Sequence, residues 1–170
     1  MNLKKTARVI ISESKQKSVP IKIDKLVENA GLKILYKPLD NSISGVLATT
    51  DKGSKYIIVN SNHSPNRQRF SLAHEFAHYL LHRKTAEIFV NSLLFRDEKS
   101  STGADKIEVE ANKLAAELLM PEELIRKMVK TKVIDMQDED EIKRLADNFE
   151  VSVQAMTFRL KNLNILGGIF

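Results

Sequence analysis

The residues of this 170-residue chain best suited to chemistry are two histidines four apart with a glutamate directly after the first, His74-Glu75-Phe76-Ala77-His78. On an α-helix, positions i and i+4 lie ~40° apart around the axis and ~6 Å apart along it. Two imidazoles so placed can converge on one ion at the ~2.0–2.1 Å that zinc prefers. Glu75 is turned ~100° from His74, so it need not bind the ion and can instead take a proton from a water that the ion activates. That is the general-base role in metal-assisted hydrolysis. The competing reading is a pair of ordinary, partly buried histidines hydrogen-bonded to backbone, and two ligands alone do not decide between them.

A catalytic zinc needs a third protein ligand and an open position. The chain has no cysteine, which removes thiolate ligands, thiol catalysis and disulfides together. Of the other histidines, His82 falls one turn beyond the pair, where it suits the negative end of a helix dipole. Carboxylates are the better source. Over 108–119 the helical wheel puts Glu108, Asn112, Ala115 and Leu119 on one face, and Glu110, Lys113 and Glu117 on an opposite, hydrated one. A carboxylate on an inward face needs a partner. An ion on His74 and His78 supplies one for Glu108; a salt bridge to Arg67 or Arg69 is the alternative. Asn112, one turn on, is placed to orient a ligating ring or carboxylate from behind. The expected set is His74, His78 and Glu108 on the metal, Glu75 as catalytic base and Asn112 in support. One Zn2+ is the preferred ion, with Mn2+ or Fe2+ tolerated by such ligands. No residue declares itself as a further oxyanion donor; Tyr36, Tyr56, Tyr79 and His63 stand as equals.

These side chains need a helix that can rest on something. Leu72, Phe76, Tyr79 and Leu80 cluster opposite the histidines, with Ala73 and Ala77 on a flank, so a helix over 70–82 can bury one face and present the other. Upstream, a short helix over 3–11 precedes one over 24–30 that Gly31 stops. A strand at 32–36 follows, then a hairpin of 43–50 with 56–60 about the turn Asp51-Lys52-Gly53-Ser54. The three strands suggest a small meander. Residues 61–66 suggest a loop, 88–95 a fourth strand and 96–106 a loop. A helix over 107–120, another opened by Pro121, and two more around Glu150-Val151-Ser152 complete an α+β order.

The stretch Arg67-Gln68-Arg69-Phe70-Ser71-Leu72-Ala73-His74-Glu75-Phe76-Ala77-His78, continued by Leu80-Leu81-His82, resembles the core signature of the ImmA/IrrE metallo-endopeptidases. Glu108-Val109-Glu110-Ala111-Asn112, continued by Ala115-Ala116-Glu117-Leu118-Leu119-Met120-Pro121, resembles that family's second signature, with Leu114 where an aromatic is common. The similarity runs from about Pro20 to Pro121. It implies a zincin-like core, a small antiparallel or mixed sheet packed on the HExxH helix, and the glutamate three before the Ala-Asn pair, Glu108, as third ligand. It also implies a protein substrate. Relatives in mobile elements inactivate a helix-turn-helix repressor by proteolysis, and others act in stress-response regulation.

Length suits one domain with an appendage: residues 1–128 as the metallopeptidase domain and 129–170 as a helical subdomain with a helix-turn-helix-like pattern. At 42% hydrophobic and 29% charged the composition is globular. No apolar run approaches the ~18 residues of a membrane span, and no secretory signal opens the chain, so the expectation is cytoplasmic. Residues 1–25 hold seven Lys or Arg against two acids, so the whole net charge of +5 sits there. A solvated segment explains it as well as an acidic partner does. In the C-terminal pair, Arg159 and Lys161 could meet DNA, yet Asp138-Glu139-Asp140-Glu141 would repel phosphate; DNA binding is the weaker reading. Three function classes follow: a zinc endopeptidase of a specific regulatory protein, a metal-containing protein that sequesters a repressor or toxin, and a DNA-binding regulator with a vestigial site.

Overall fold

The computed structural model describes residues 2–81, 101–130, 134–135 and 138–167, with backbone only for 101–105. Its described elements run α1 (Leu3–Glu13), α2 (Ile23–Asn29), β1 (Lys33–Lys37), β2 (Gly45–Thr49), β3 (Lys55–Asn60), α3 (Pro65–Leu81), α4 (Ser101–Leu119), α5 (Glu122–Val129), β4 (Ile134–Asp135), α6 (Glu139–Phe149), α7 (Val153–Asn162) and β5 (Leu166–Gly167). The class is α+β, as the order of sequence patterns implies.

The sheet is not a meander. Its strand order is β1-β3-β2, with β1 parallel and β2 antiparallel to β3. Burial explains the placement: Ile57 and Val59 of β3 are fully buried, so β3 takes the middle, while every residue of β1 is partly or fully exposed. Buried Asn60 fastens the β1–β2 connection, its amide nitrogen donating to the carbonyls of Leu39, Asp40 and Ile43 and its oxygen accepting the Leu39 N–H. These bonds satisfy loop backbone that would otherwise be costly to bury.

Several helices are longer than their sequence patterns suggest. α1 runs two residues past the expected 3–11, to Glu13, and is opened by the Asn2 side chain accepting the Lys5 N–H. α3 starts at Pro65, with the Gln68 N–H bonded to the Ser64 carbonyl, so 65–66 belong to the helix and not to a loop. Proline at a first helical position has no N–H to waste. α4 starts at Ser101, which corrects the loop expected over 101–106; residues 96–100, the strand expected at 88–95 and His82 lie outside the described residues. Gly31 takes φ +82° just past α2, the left-handed conformation that stops a helix.

Leu72, Ala73, Phe76 and Ala77 of α3 pack toward the sheet and α4, all at most 1% exposed. Truncating Phe76 there would cost about 3–5 kcal/mol. On α4, Ala111, Leu114, Ala115, Leu118 and Leu119 are fully buried. Leu145, Phe149 and Leu160 of α6 and α7 join the same apolar cluster, so residues beyond 128 share one core with the rest. The basic N-terminal segment is partly neutralised by α5: Lys4 pairs with Glu122 and Arg8 with Glu123. Among the described residues no helix is long and apolar enough to cross a membrane.

Candidate metal centre

With its apolar face fixed, α3 turns His74 and His78 toward α4, which crosses beside it. The Nε2 atoms of the two rings stand 3.0 Å apart, and Glu108 reaches both, 3.3 Å to His74 and 3.2 Å to His78. The rings meet edge to face, their centroids 4.6 Å apart. A tetrahedral ion with ~2.0–2.1 Å bonds has ligand-to-ligand edges of roughly 3.3–3.4 Å. Glu108 offers a different oxygen to each ring, Oε2 to His74 and Oε1 to His78, so the three side chains form a triangle about a space of the size an ion needs, and a donor set of two imidazoles and a carboxylate suits zinc. His78 and His74 side chains are 7% and 18% exposed while Glu108 is 53% exposed. The histidines form a floor and Glu108 a rim at the solvent edge of the cluster.

Asn112 lies where its turn of α4 predicts: its Oδ1 is 3.0 Å from His74 Nδ1. An amide oxygen can only accept, so Nδ1 carries a proton, and the neutral ring aims a lone pair from Nε2 into the triangle. Without an ion, two Nε2 atoms at 3.0 Å cannot both offer lone pairs, and a proton must lie between them. Burial would lower the His74 pKa, but the hydrogen bond to Glu108 and the charges of Glu75 and Glu108 outweigh it and raise it. The same bonds from His74 and His78 hold the Glu108 carboxyl far below the usual range. Protons glue a cluster that a divalent cation could hold instead.

Glu75 is not part of the triangle. Burial pushes its carboxyl up, opposed by the His74 and His78 charges and by a hydrogen bond from the Leu47 N–H. That bond places it against β2. The bonds Asn60 N–H to Ser44 O (3.1 Å) and Thr50 N–H to Ser54 O (2.9 Å) fix which β2 residues bond to β3. By antiparallel alternation these are Val46 and Ala48, so Gly45, Leu47 and Thr49 turn their backbone groups to the outer edge. A Cβ on Gly45 would sit 3.1 Å from Glu75 Cγ, so glycine makes room for the base. Sequence reasoning passed over Gly45 and Leu47. The signal was a glycine opening a strand pattern, which marks close approach of another group.

The structure places the other named residues elsewhere. Arg67 donates to Ser44 Oγ, and Arg69 to the carbonyls of Ile21, Phe149 and Glu150, so neither takes Glu108. Tyr36 is on β1, across the sheet from β2, and His63 Nε2 faces the Asn41 carbonyl. Tyr79 stacks on Phe76, and Tyr56 lies under Lys33. Glu117, expected on a hydrated face, is 7% exposed: it pairs with Arg159 and accepts the Glu122 N–H. The wheel of one helix could not see that α7 covers it.

The chain is similar to "Uncharacterized immunity region protein 2" of Bacillus phage phi105, 39% identical over 72 residues, which are 42% of each chain. The fold is similar to that of a Mycobacterium tuberculosis transcriptional regulator, with a TM-score of 0.64 at 18% identity, over 94% of this chain and 46% of that one. The chain therefore matches under half the length of either relative. Residues 27–161 match Peptidase_M78, the IrrE N-terminal-like domain, and the chain belongs to that family.

Proposed function

We propose that this protein is a metal-dependent endopeptidase, with His74, His78 and Glu108 holding one divalent ion, Zn2+ by preference, and Glu75 as the base. The observation that carries the reading is the juxtaposition of that three-sided donor cluster with a separate carboxylate tethered to β2, an edge strand among the described residues. When bound, the ion would supply a Lewis acid that polarises the scissile carbonyl and acidifies a water. Glu75 takes a proton from the attacking water at its carboxylate as oxygen adds to the carbonyl carbon. It returns that proton to the leaving amine as the C–N bond breaks. Asn112 holds His74 in the tautomer that keeps Nε2 available. The outward backbone groups of β2 can align an extended segment by strand addition.

Family membership and the phage relative's name favour a regulatory protein as substrate, of the helix-turn-helix repressor class. Arg159, the strongest cation offered to DNA by α7, is instead buried on Glu117 and the Met120 carbonyl. The test is to incubate zinc-loaded wild type and Glu75→Gln with the product of the neighbouring reading frame and with a proteome-derived peptide library, reading new termini by mass spectrometry. Cleavage by wild type alone, with equal metal content in both, supports the endopeptidase. Absence of cleavage, with the partner bound equally by both, supports sequestration instead.

A further inference from the structure

A cavity of about 930 Å³ opens between α3, α4 and α7 and adjoins the centre just described from behind His74, although His74, His78 and Glu108 do not line it. Asn112, the partner of His74, lines it, as does Phe70, whose ring centroid is 6.1 Å from that of His74. Its floor is apolar, with Met120, Ala155 and Phe158. Phe158 is 58% exposed, an expensive position for a phenylalanine that none of the described residues covers. The charges around the cavity are unequal. Glu117 is neutralised by Arg159 and Lys4 by Glu122, whereas Arg67 and Lys113 have no ion pair among the described residues.

We infer that this groove is a docking site for an amphipathic segment of the protein substrate, one that offers large apolar side chains to Phe158 and Phe70 and a carboxylate to Arg67 or Lys113. The volume is at the upper end of what a ligand cleft encloses, too large for one side chain and right for several. Its place beside the centre, at Asn112 and Phe70, and the unpaired Arg67 and Lys113 over an apolar floor name the occupant: an acidic, apolar stretch of the protein on which the centre acts. A second copy of the chain fits poorly, since like-charged rims would face each other. Nucleic acid fits poorly too, since two unpaired cations over an apolar floor make a weak phosphate site. The inference takes its occupant from the endopeptidase reading, but its geometry does not depend on cleavage.

The test uses the full chain as zinc-loaded Glu75→Gln, panned against a phage-displayed library of random dodecapeptides. The recovered consensus is then made as a fluorescent peptide and its Kd measured by anisotropy. The expected consensus pairs Leu, Phe or Met with Asp or Glu. Phe158→Ser should weaken binding about tenfold or more. Lys113→Glu should weaken it several-fold, with recovery when the peptide's acid is exchanged for lysine. Both positions are exposed, and unchanged circular dichroism and zinc content show that the fold stands. No consensus, or a consensus whose Kd both variants leave within twofold, overturns the proposal. So does displacement of the peptide by a mixed-sequence DNA duplex, or a dimer in sedimentation that Phe158→Ser dissolves. If wild type binds the peptide through these residues but leaves it uncut, the groove stands and the endopeptidase reading is what fails.

Discussion

The two ends of α4 use the same residue type in opposite ways. Near the start, Glu108 is half exposed and faces two imidazoles, groups that carry charge only when a proton or an ion is present. Nine residues on, Glu117 is 7% exposed and faces a guanidinium that is always charged. Glu117 is therefore permanently satisfied, and with the Arg159 bond to the Met120 carbonyl it fastens α7 to α4. Glu108 is satisfied only conditionally. A carboxylate whose partners can exchange a proton for an ion is suited to a site; one locked to arginine is suited to a scaffold.

The largest expected effect lies at the first end. Glu75→Gln removes the base but none of the triangle, so peptide cleavage should fall by about 10²–10⁴-fold while zinc stoichiometry, read by atomic emission, stays at the wild-type value. Parallel loss of zinc would mean that Glu75 is itself a ligand.

At the second end, Glu117→Ala leaves the Arg159 guanidinium buried without its counter-charge and should destabilise the fold by about 3–5 kcal/mol in urea melts. Glu108→Ala in the metal-free protein should cost no more than about 1 kcal/mol, because half of the side chain is in water, yet it should abolish tight zinc binding. Equal costs at both positions would erase the distinction between them.

Asn112→Ala should weaken zinc binding by about 10–100-fold, through loss of the tautomer lock on His74, with cleavage by the fully loaded enzyme less affected. A competition titration against a chromogenic chelator reads this directly.

The smallest effects concern pH. In the metal-free protein the His74 pKa is raised, so its contribution to stability is present below about 6.5 and is lost as pH rises through the folded value. Glu108 is depressed, so its contribution is present above about 4.3 and fades as pH falls toward the folded value. The metal-free cluster should stabilise most between those limits, while the stabilisation that zinc adds should grow as pH rises and protons leave the rings. Thermal melts with and without zinc across about pH 2–8 check both slopes.

How much was legible in the sequence follows from how local each feature is. His74, Glu75 and His78 are ordered by one helical turn, and Glu108 with Asn112 by another, so a helical wheel found positions that the fold then brings within 3.0–3.3 Å. Strand order was not legible, because β1 beside β3 is a pairing between residues such as Lys33 and Tyr56, and only relative burial selects it. Glu117 went to the wrong face because its partner comes from 42 residues downstream. Gly45 was readable in principle, but its reason, the Glu75 side chain, comes from another element.

The most direct test of the central claim is an anomalous difference map from crystals grown with zinc. The account predicts a single peak about 2.0–2.2 Å from Nε2 of His74, Nε2 of His78 and a carboxylate oxygen of Glu108, with Glu75 outside bonding distance. A peak held by other residues, or well-ordered side chains at these three positions with no peak between them, would contradict it.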